Sequence, residues 1–241
     1  MTPYYEDSAV QLFWGDCREI LPQLGPVDHV ITDPPYDDVT HSRGGSAVRR
    51  YDGGPDIPVI PFAPLEDVEP LAFELARLIR RWALIFCAVR QIHVWTDALE
   101  GRGLRVPRVM VWVKPDASPQ FSGDRPGHGY EPIIVAHAKG KTRWNGGGHR
   151  GVLEHMRIDR ASGWCHPTQK PEKLIRELVT LFTDEGETIL DPFAGSGTTA
   201  VAAKRLGRRC ILIEREEKYC EVAAKRLSQG ALNLFSTEKP A

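Results

Sequence analysis

Between residues 188 and 214 the chain reads as strand, glycine turn, helix, strand, acid, an order that confines it to a small set of folds. An apolar run at 188–190 ends at Asp191; D-P-F-A-G-S-G-T-T at 191–199 then turns into an Ala-rich helix at 198–206 that Gly207 closes, and a second apolar run at 210–213 ends at Glu214. A helix linking two short apolar strands is the crossover of a parallel sheet, and it delivers both strand ends to one edge. Gly195 and Gly197 let backbone approach a ligand closely, and an acid 19 residues after Gly195 suits the two hydroxyls of a ribose. Ala200 completes G-x-G-x-x-A. A nicotinamide-dependent oxidoreductase using Gly195, Gly197 and Glu214 therefore fits this stretch, as does a purely structural turn. A phosphate-gripping P-loop does not: Thr198 stands where its Lys is needed, and G-K-T at 140–142 has Val135 where the leading Gly belongs.

A second acid-tipped strand lies near the N-terminus. The apolar run 30–32 carries Asp33 to its end and stops, because neither Pro34 nor Pro35 can donate to a sheet ladder. Asp33 and the Pro34 carbonyl offer two hydrogen-bond acceptors, and Tyr36 offers an aromatic face. That set suits a planar ring bearing an amino group. A strand end with a Pro-Pro turn and a core tyrosine is the competing structural reading.

The other segments extend the pattern. Residues 10–14 predict a strand that brings Asp16 to its end; 65–81 and 92–99 have helical periodicity; 82–87 reads as a buried strand. Two strands at 106–113 and 132–136 predict an antiparallel pair at one sheet edge. Pro171 suits the first turn of a helix buried through Leu174, Ile175, Leu178, Val179 and Phe182. A last helix is predicted over 217–227, with a frayed tail beyond Gly230. The fold expected is a single α/β domain over 1–241, with a doubly wound, mostly parallel, Rossmann-like sheet and an antiparallel edge hairpin. Asp16, Asp33, Asp191 and Glu214 should then line one crevice.

Two loops remain. The Gly-rich stretch 37–64, with Arg43, Arg49 and Arg50, reads as a flap beside the site. In 139–160, cations outnumber acids by four, and Lys141, Arg143, Trp144 and Arg150 suit phosphate contact and base stacking as well as they suit a solvated loop. The net charge of −1 confines any attraction for nucleic acid to such local patches. Five cysteines without C-x-x-C spacing argue against a disulfide framework or a zinc ribbon and fit a reducing cytoplasm, and no apolar run is long enough to cross a bilayer. The histidines show no metal-ligand spacing.

Taken together, D-P-P-Y at 33–36, H-P-T-Q-K-P at 166–171 and D-P-F-A-G-S-G-T-T at 191–199 resemble the amino-group DNA methyltransferases that use S-adenosylmethionine. With D-P-P-Y ahead of the glycine motif, the order is that of their circularly permuted beta class. The resemblance spans roughly residues 10–228. It implies a catalytic set of Asp33, Pro34, Pro35 and Tyr36. It also implies a cofactor site in which Asp191, Phe193, Ala194, Gly195, Ser196, Gly197 and Thr198 lie at the methionine part. Thr168, Gln169 and Lys170 would sit at the methionine end, Glu214 on the ribose, Asp16 near the adenine amino group, and Asp33 alongside. D-P-P-Y resembles the adenine N6 enzymes more than the cytosine N4 enzymes, which favour S-P-P-Y. Ring-carbon methylation would need a nucleophilic Cys, usually after a Pro, and no Cys here follows one. DNA is the implied partner, its target base flipped out of the stack or presented in a single strand. With no dedicated reader domain, either the recognition site is a few bases long or a second protomer of a homodimer completes it.

Overall fold

The computed structural model describes residues 1–35, 67–121, 123–157 and 169–234. Tyr36, the 37–64 stretch with Arg43, Arg49 and Arg50, and Thr168 lie outside them, as do Cys165 and His166.

Five consecutive parallel strands form the middle of one nine-stranded sheet. In spatial order these are β2 (Val10–Trp14), β9 (Arg209–Glu214), β8 (Thr188–Asp191), β3 (His29–Thr32) and β4 (Trp82–Phe86). The antiparallel β6 (Tyr130–His137) follows, then β5 (Arg105–Val113) and finally β7 (Val152–Glu154), while β1 (Tyr5–Glu6) closes the other side. The expected antiparallel pair is thus β5 and β6, but it is not the edge. That place belongs to β7, which lies in a segment read from sequence as a loop. Three residues among glycines and cations carry no periodicity; β7 exists through its parallel pairing with β5.

Successive strand residues alternate between two cores. Ile31, Leu84, Ile189 and Leu212 join one core; Val30, Ile85, Leu190 and Ile213 join the other. This two-sided burial explains why the central strands are continuously apolar. On the first face pack α4 (Glu172–Phe182), α5 (Thr198–Arg205) and α6 (Glu217–Leu234), which continues past the end that its periodicity suggested. On the second face pack α1 (Cys17–Ile20), α2 (Glu69–Leu78) and α3 (Ile92–Gly101). From β8 the chain crosses through α5 to β9 on one side, whereas from β3 it crosses to β4 on the other. The central β8–β3 pair is therefore the switch point of the sheet, where a crevice opens at the carboxyl ends.

At the opposite, amino edge the residues just before β8 form a charged cluster. Arg81 pairs with Asp184 and Glu187, and Arg143 Nη1 is 3.1 Å from Asp184. The buried His29 donates to Glu187 from Nε2 at 2.8 Å as a neutral ring, since burial lowers its pKa more than Glu187 raises it. Trp82 Nε1 donates to the Arg143 carbonyl at 2.7 Å, and the Trp144 ring lies edge-on to Phe182 at 4.7 Å. Arg143 and Trp144, candidates for phosphate contact and base stacking, both sit at this amino edge, where Trp144 covers the end of a core. Lys141 and Arg150 are exposed, Lys141 next to Gly140, whose carbonyl receives Arg105 near the start of β5, and Arg150 just ahead of β7.

Trp144→Ala should lower stability to denaturant by about 2 kcal/mol, below the value for a fully buried aromatic because the ring is half-buried. It should leave DNA affinity at fixed salt unchanged. Weaker DNA binding with full stability would mark it as a base-stacking contact.

Candidate active site

The crevice is built on one buried carboxylate. Asp191, at the tip of β8, is 4% exposed and accepts from Thr32 Oγ1 at 2.8 Å, Thr199 Oγ1 at 2.6 Å and the Phe193 amide at 3.1 Å. Thr32 is the last residue of β3, directly before Asp33, so this contact ties the tips of the two central strands together. Burial raises the Asp191 pKa to about 6, with the three donors pulling it down and the charge of Asp33 adding to the rise.

Beyond Asp191 the chain turns through Phe193, Ala194 and two glycines with positive φ, Gly195 at 50° and Gly197 at 76°. Gly197 has no alternative, since a Cβ there would stand 3.0 Å from Ala223 Cβ. The Ala194 amide bonds to the Ile213 carbonyl at 2.9 Å, which lays the turn over the end of β9. There Glu214 accepts from the Gly195 amide at 2.8 Å and from the Glu216 amide at 2.8 Å, and burial raises its pKa despite these donors. Ser196 and Thr198 turn the other way: Arg226 donates to the Ser196 carbonyl at 2.5 Å and to the two hydroxyls at 3.0 and 3.2 Å. Their side chains anchor the turn to α6. Asp16, past the end of β2, caps α1 through the Arg18 amide at 2.9 Å and pairs with the Arg18 guanidinium, which lowers its pKa. Gly15 beside it donates to the Glu214 carbonyl at 2.9 Å, so Asp16 and Glu214 share the same end of the crevice.

On the other side stand Asp33, the buried Pro34, and Pro35. Lys170, just ahead of α4, reaches Asp33 Oδ2 rather than the glycine turn. Its ammonium also lies 3.3 Å from Glu131 Oε2 and 4.9 Å from the centre of the Phe86 ring. Gln169 beside it is half-buried. Sequence reasoning missed Glu131, Lys114, Thr32, Thr199 and Arg226. Glu131 left one signal, an acid at the head of an otherwise apolar strand; the others belong to no motif.

The cysteines among the described residues are inert thiols. Burial is the main cause in each case, pushing Cys17 up to about 11 and Cys87 and Cys220 up to about 12, with Cys210 raised as well. Among the described residues no group of His, Cys, Asp or Glu has the arrangement of a metal site.

The model of the DNA methylase family that acts at N6 and N4 positions matches residues 27–225. The chain belongs to that family. Two type II methyltransferases are each 31% identical to it: M2.LlaDCHI of Lactococcus lactis subsp. cremoris, over 95% of this chain and 93% of its own, and M2.DpnII of Streptococcus pneumoniae, over 93% and 92%. The crystal structure of M1.HpyAVI with SAM superposes with a TM-score of 0.69 at 30% identity, covering 90% of this chain and 98% of that one. This methylase is therefore an S-adenosylmethionine-dependent amino-methyltransferase of DNA, and its fold is the α/β sheet of those enzymes. The donor set fits that cofactor: three carboxylates, Asp16, Asp191 and Glu214, border a glycine turn flanked by Phe193 and Ala194, which suits a cationic, ribose-bearing ligand with an apolar portion.

Because the native pKa of Asp191 lies above that of an unfolded aspartate, the stability tied to its protonated form is fully present below about pH 4 and is lost as pH rises through about 6. The ionised form instead favours a cationic ligand. Calorimetry should show S-adenosylmethionine affinity weakening as pH falls through about 6. Asp191→Asn should bind more weakly, without that step, and melt higher than the parent above neutrality when ligand-free. An unchanged step in the variant would assign it to another group.

Proposed function

We propose that this methylase transfers the methyl group to N6 of adenine in DNA, with Asp33, Pro34, Pro35 and Tyr36 as its catalytic set. The observation that carries this reading is the pairing of the tips of β3 and β8 through Thr32 and Asp191, which sets an amine-accepting strand end beside a donor-holding one. Aspartate as the first residue of the P-P-Y motif favours adenine over cytosine N4.

An exocyclic amine is a poor nucleophile because its lone pair is delocalised into the base. Accepting its hydrogens at the Asp33 carboxylate and the Pro34 carbonyl favours a more tetrahedral nitrogen, and both acceptors stabilise the positive charge that develops on it until the methylated nitrogen releases one of those hydrogens to solvent as a proton. The cofactor supplies a methyl group on a sulfonium, which leaves as a neutral thioether. Asp191 and the glycine turn would hold it, Glu214 would receive the ribose hydroxyls through lone pairs left beside the two amides, and Asp16 would stand at the adenine end. Alignment of the two reactants supplies much of the remaining acceleration. The target base leaves its stack, and stacking on it is the role assigned to Tyr36 from its motif. Lys141 and Arg150 are the remaining candidates for phosphate contact within the described residues, together with Arg43, Arg49 and Arg50 outside them. The protein acts in the cytoplasm on DNA, reading either a site of a few bases or a longer one completed by a second protomer.

Purified protein, labelled cofactor and amplified, unmethylated DNA should yield labelled N6-methyladenine on digestion. Labelled N4-methylcytosine would overturn the base assignment. Asp33→Ala should reduce transfer at least a thousandfold, on the order of losing a key transition-state acceptor, with cofactor affinity within a few-fold of the parent.

A further inference from the structure

Four side chains form a ladder of alternating charge along the crevice edge of neighbouring strands. Asp33 follows β3; Lys170 spans β4 above the Phe86 ring; Glu131 stands on β6; and Lys114 follows β5. Glu131 accepts from Lys114 through Oε1 and faces Lys170 through Oε2. Every rung is largely shielded, with side-chain exposures of 21% for Asp33, 11% for Lys170, 14% for Glu131 and 10% for Lys114. Lys114 in turn lies over the Trp112 ring at 4.8 Å. Burial opposes both inner charges, yet the pKa of Lys170 is raised by Asp33 and then Glu131, and that of Glu131 is lowered by Lys170 and then Lys114.

We propose that Glu131 is a positioning residue for methyl transfer: with Lys114 behind it, it sets where the Lys170 ammonium meets Asp33, and so how the Asp33 carboxylate faces the target amine. The proposal rests on the reading of Asp33 as the amine acceptor. The reasoning is electrostatic. Lys170 already bonds to Asp33 Oδ2, where it competes with the substrate for lone pairs, and Glu131, 3.3 Å away on the far side, draws on the same ammonium and so weakens that competition. Phe86 fixes the height of the stem, and Pro171 fixes where the chain enters α4. Removing charge at Glu131 tightens the hold of Lys170 on Asp33 and so constrains an acceptor whose catalytic value depends on placement within about 1 Å.

The test compares Glu131→Gln, Glu131→Asp, Lys114→Met and the double variant Glu131→Gln/Lys114→Met with the parent, in single-turnover transfer to amplified, unmethylated DNA at saturating cofactor. Calorimetry gives cofactor affinity, and Asp33→Ala serves as control. Glu131→Gln should slow transfer by about tenfold to a hundredfold with cofactor and DNA affinities within about twofold, and Glu131→Asp should recover part of the rate. Lys114→Met should slow it in the same sense and add little to Glu131→Gln, as expected of one coupled network. Transfer within twofold of the parent in Glu131→Gln, or a loss matched by lost cofactor affinity, overturns the proposal. If Glu131→Gln does not fold, Lys114→Met decides: a parental rate overturns it, and a slowed rate with intact affinity supports it. Loss of transfer in Asp33→Ala alone discards only the network, whereas normal transfer in Asp33→Ala discards the reading of Asp33 itself.

Discussion

A carboxylate taken out of water at the middle of the sheet sets the conditions for everything else in this protein. Asp191 would be costly there without donors, and the donors it finds come from three directions: a hydroxyl on the neighbouring strand, a hydroxyl in the first turn of α5, and an amide of its own turn. Satisfying one buried group thereby pins the switch point, the start of the glycine turn and the strand that carries Asp33. The cofactor side and the acceptor side share a single anchor.

Around that anchor the crevice is divided by charge. Asp16, Asp191 and Glu214 make the side proposed for the cofactor acidic, in keeping with a sulfonium ligand. On the acceptor side the Asp33 carboxylate is met by Lys170, and the charges alternate outward to Lys114. Carboxylates are used in two ways: Asp191 and Glu214 are held by hydroxyls and amides, while Asp16 and Asp33 each meet a cation of the chain. The glycine turn is held by side chains facing away from the crevice, with Arg226 gripping Ser196 and Thr198 from α6, so the surface offered to a ligand there is mainly backbone.

The nucleotide grammar was legible because it is local. Strand, turn, helix and strand lie within 27 consecutive residues, 188–214, and each step leaves a mark: β-branched runs, glycines at positive φ, an acid at the break. The strands ending at Asp33 and Asp16 were legible for the same reason. What escaped depends on pairing across the chain. β7 has too few residues to show a period, and Trp144 looks like a stacking platform until Phe182, far along the sequence, is seen beneath it. Lys170 belongs to a motif tied to the methionine end, but its long stem lets the ammonium settle wherever partners stand, and those partners are on β3 and β6.

By itself the sequence determined the class of fold, the family and the acids at the strand ends, because backbone periodicity and turn chemistry act between near neighbours. Only the tertiary structure decided which of those acids are buried, which cations meet them and which apparent DNA contacts lie at the far edge. Electrostatics in a shielded crevice depends on distance through space, and Lys114, Glu131, Lys170 and Asp33 approach one another only after the sheet has brought β3, β4, β6 and β5 side by side.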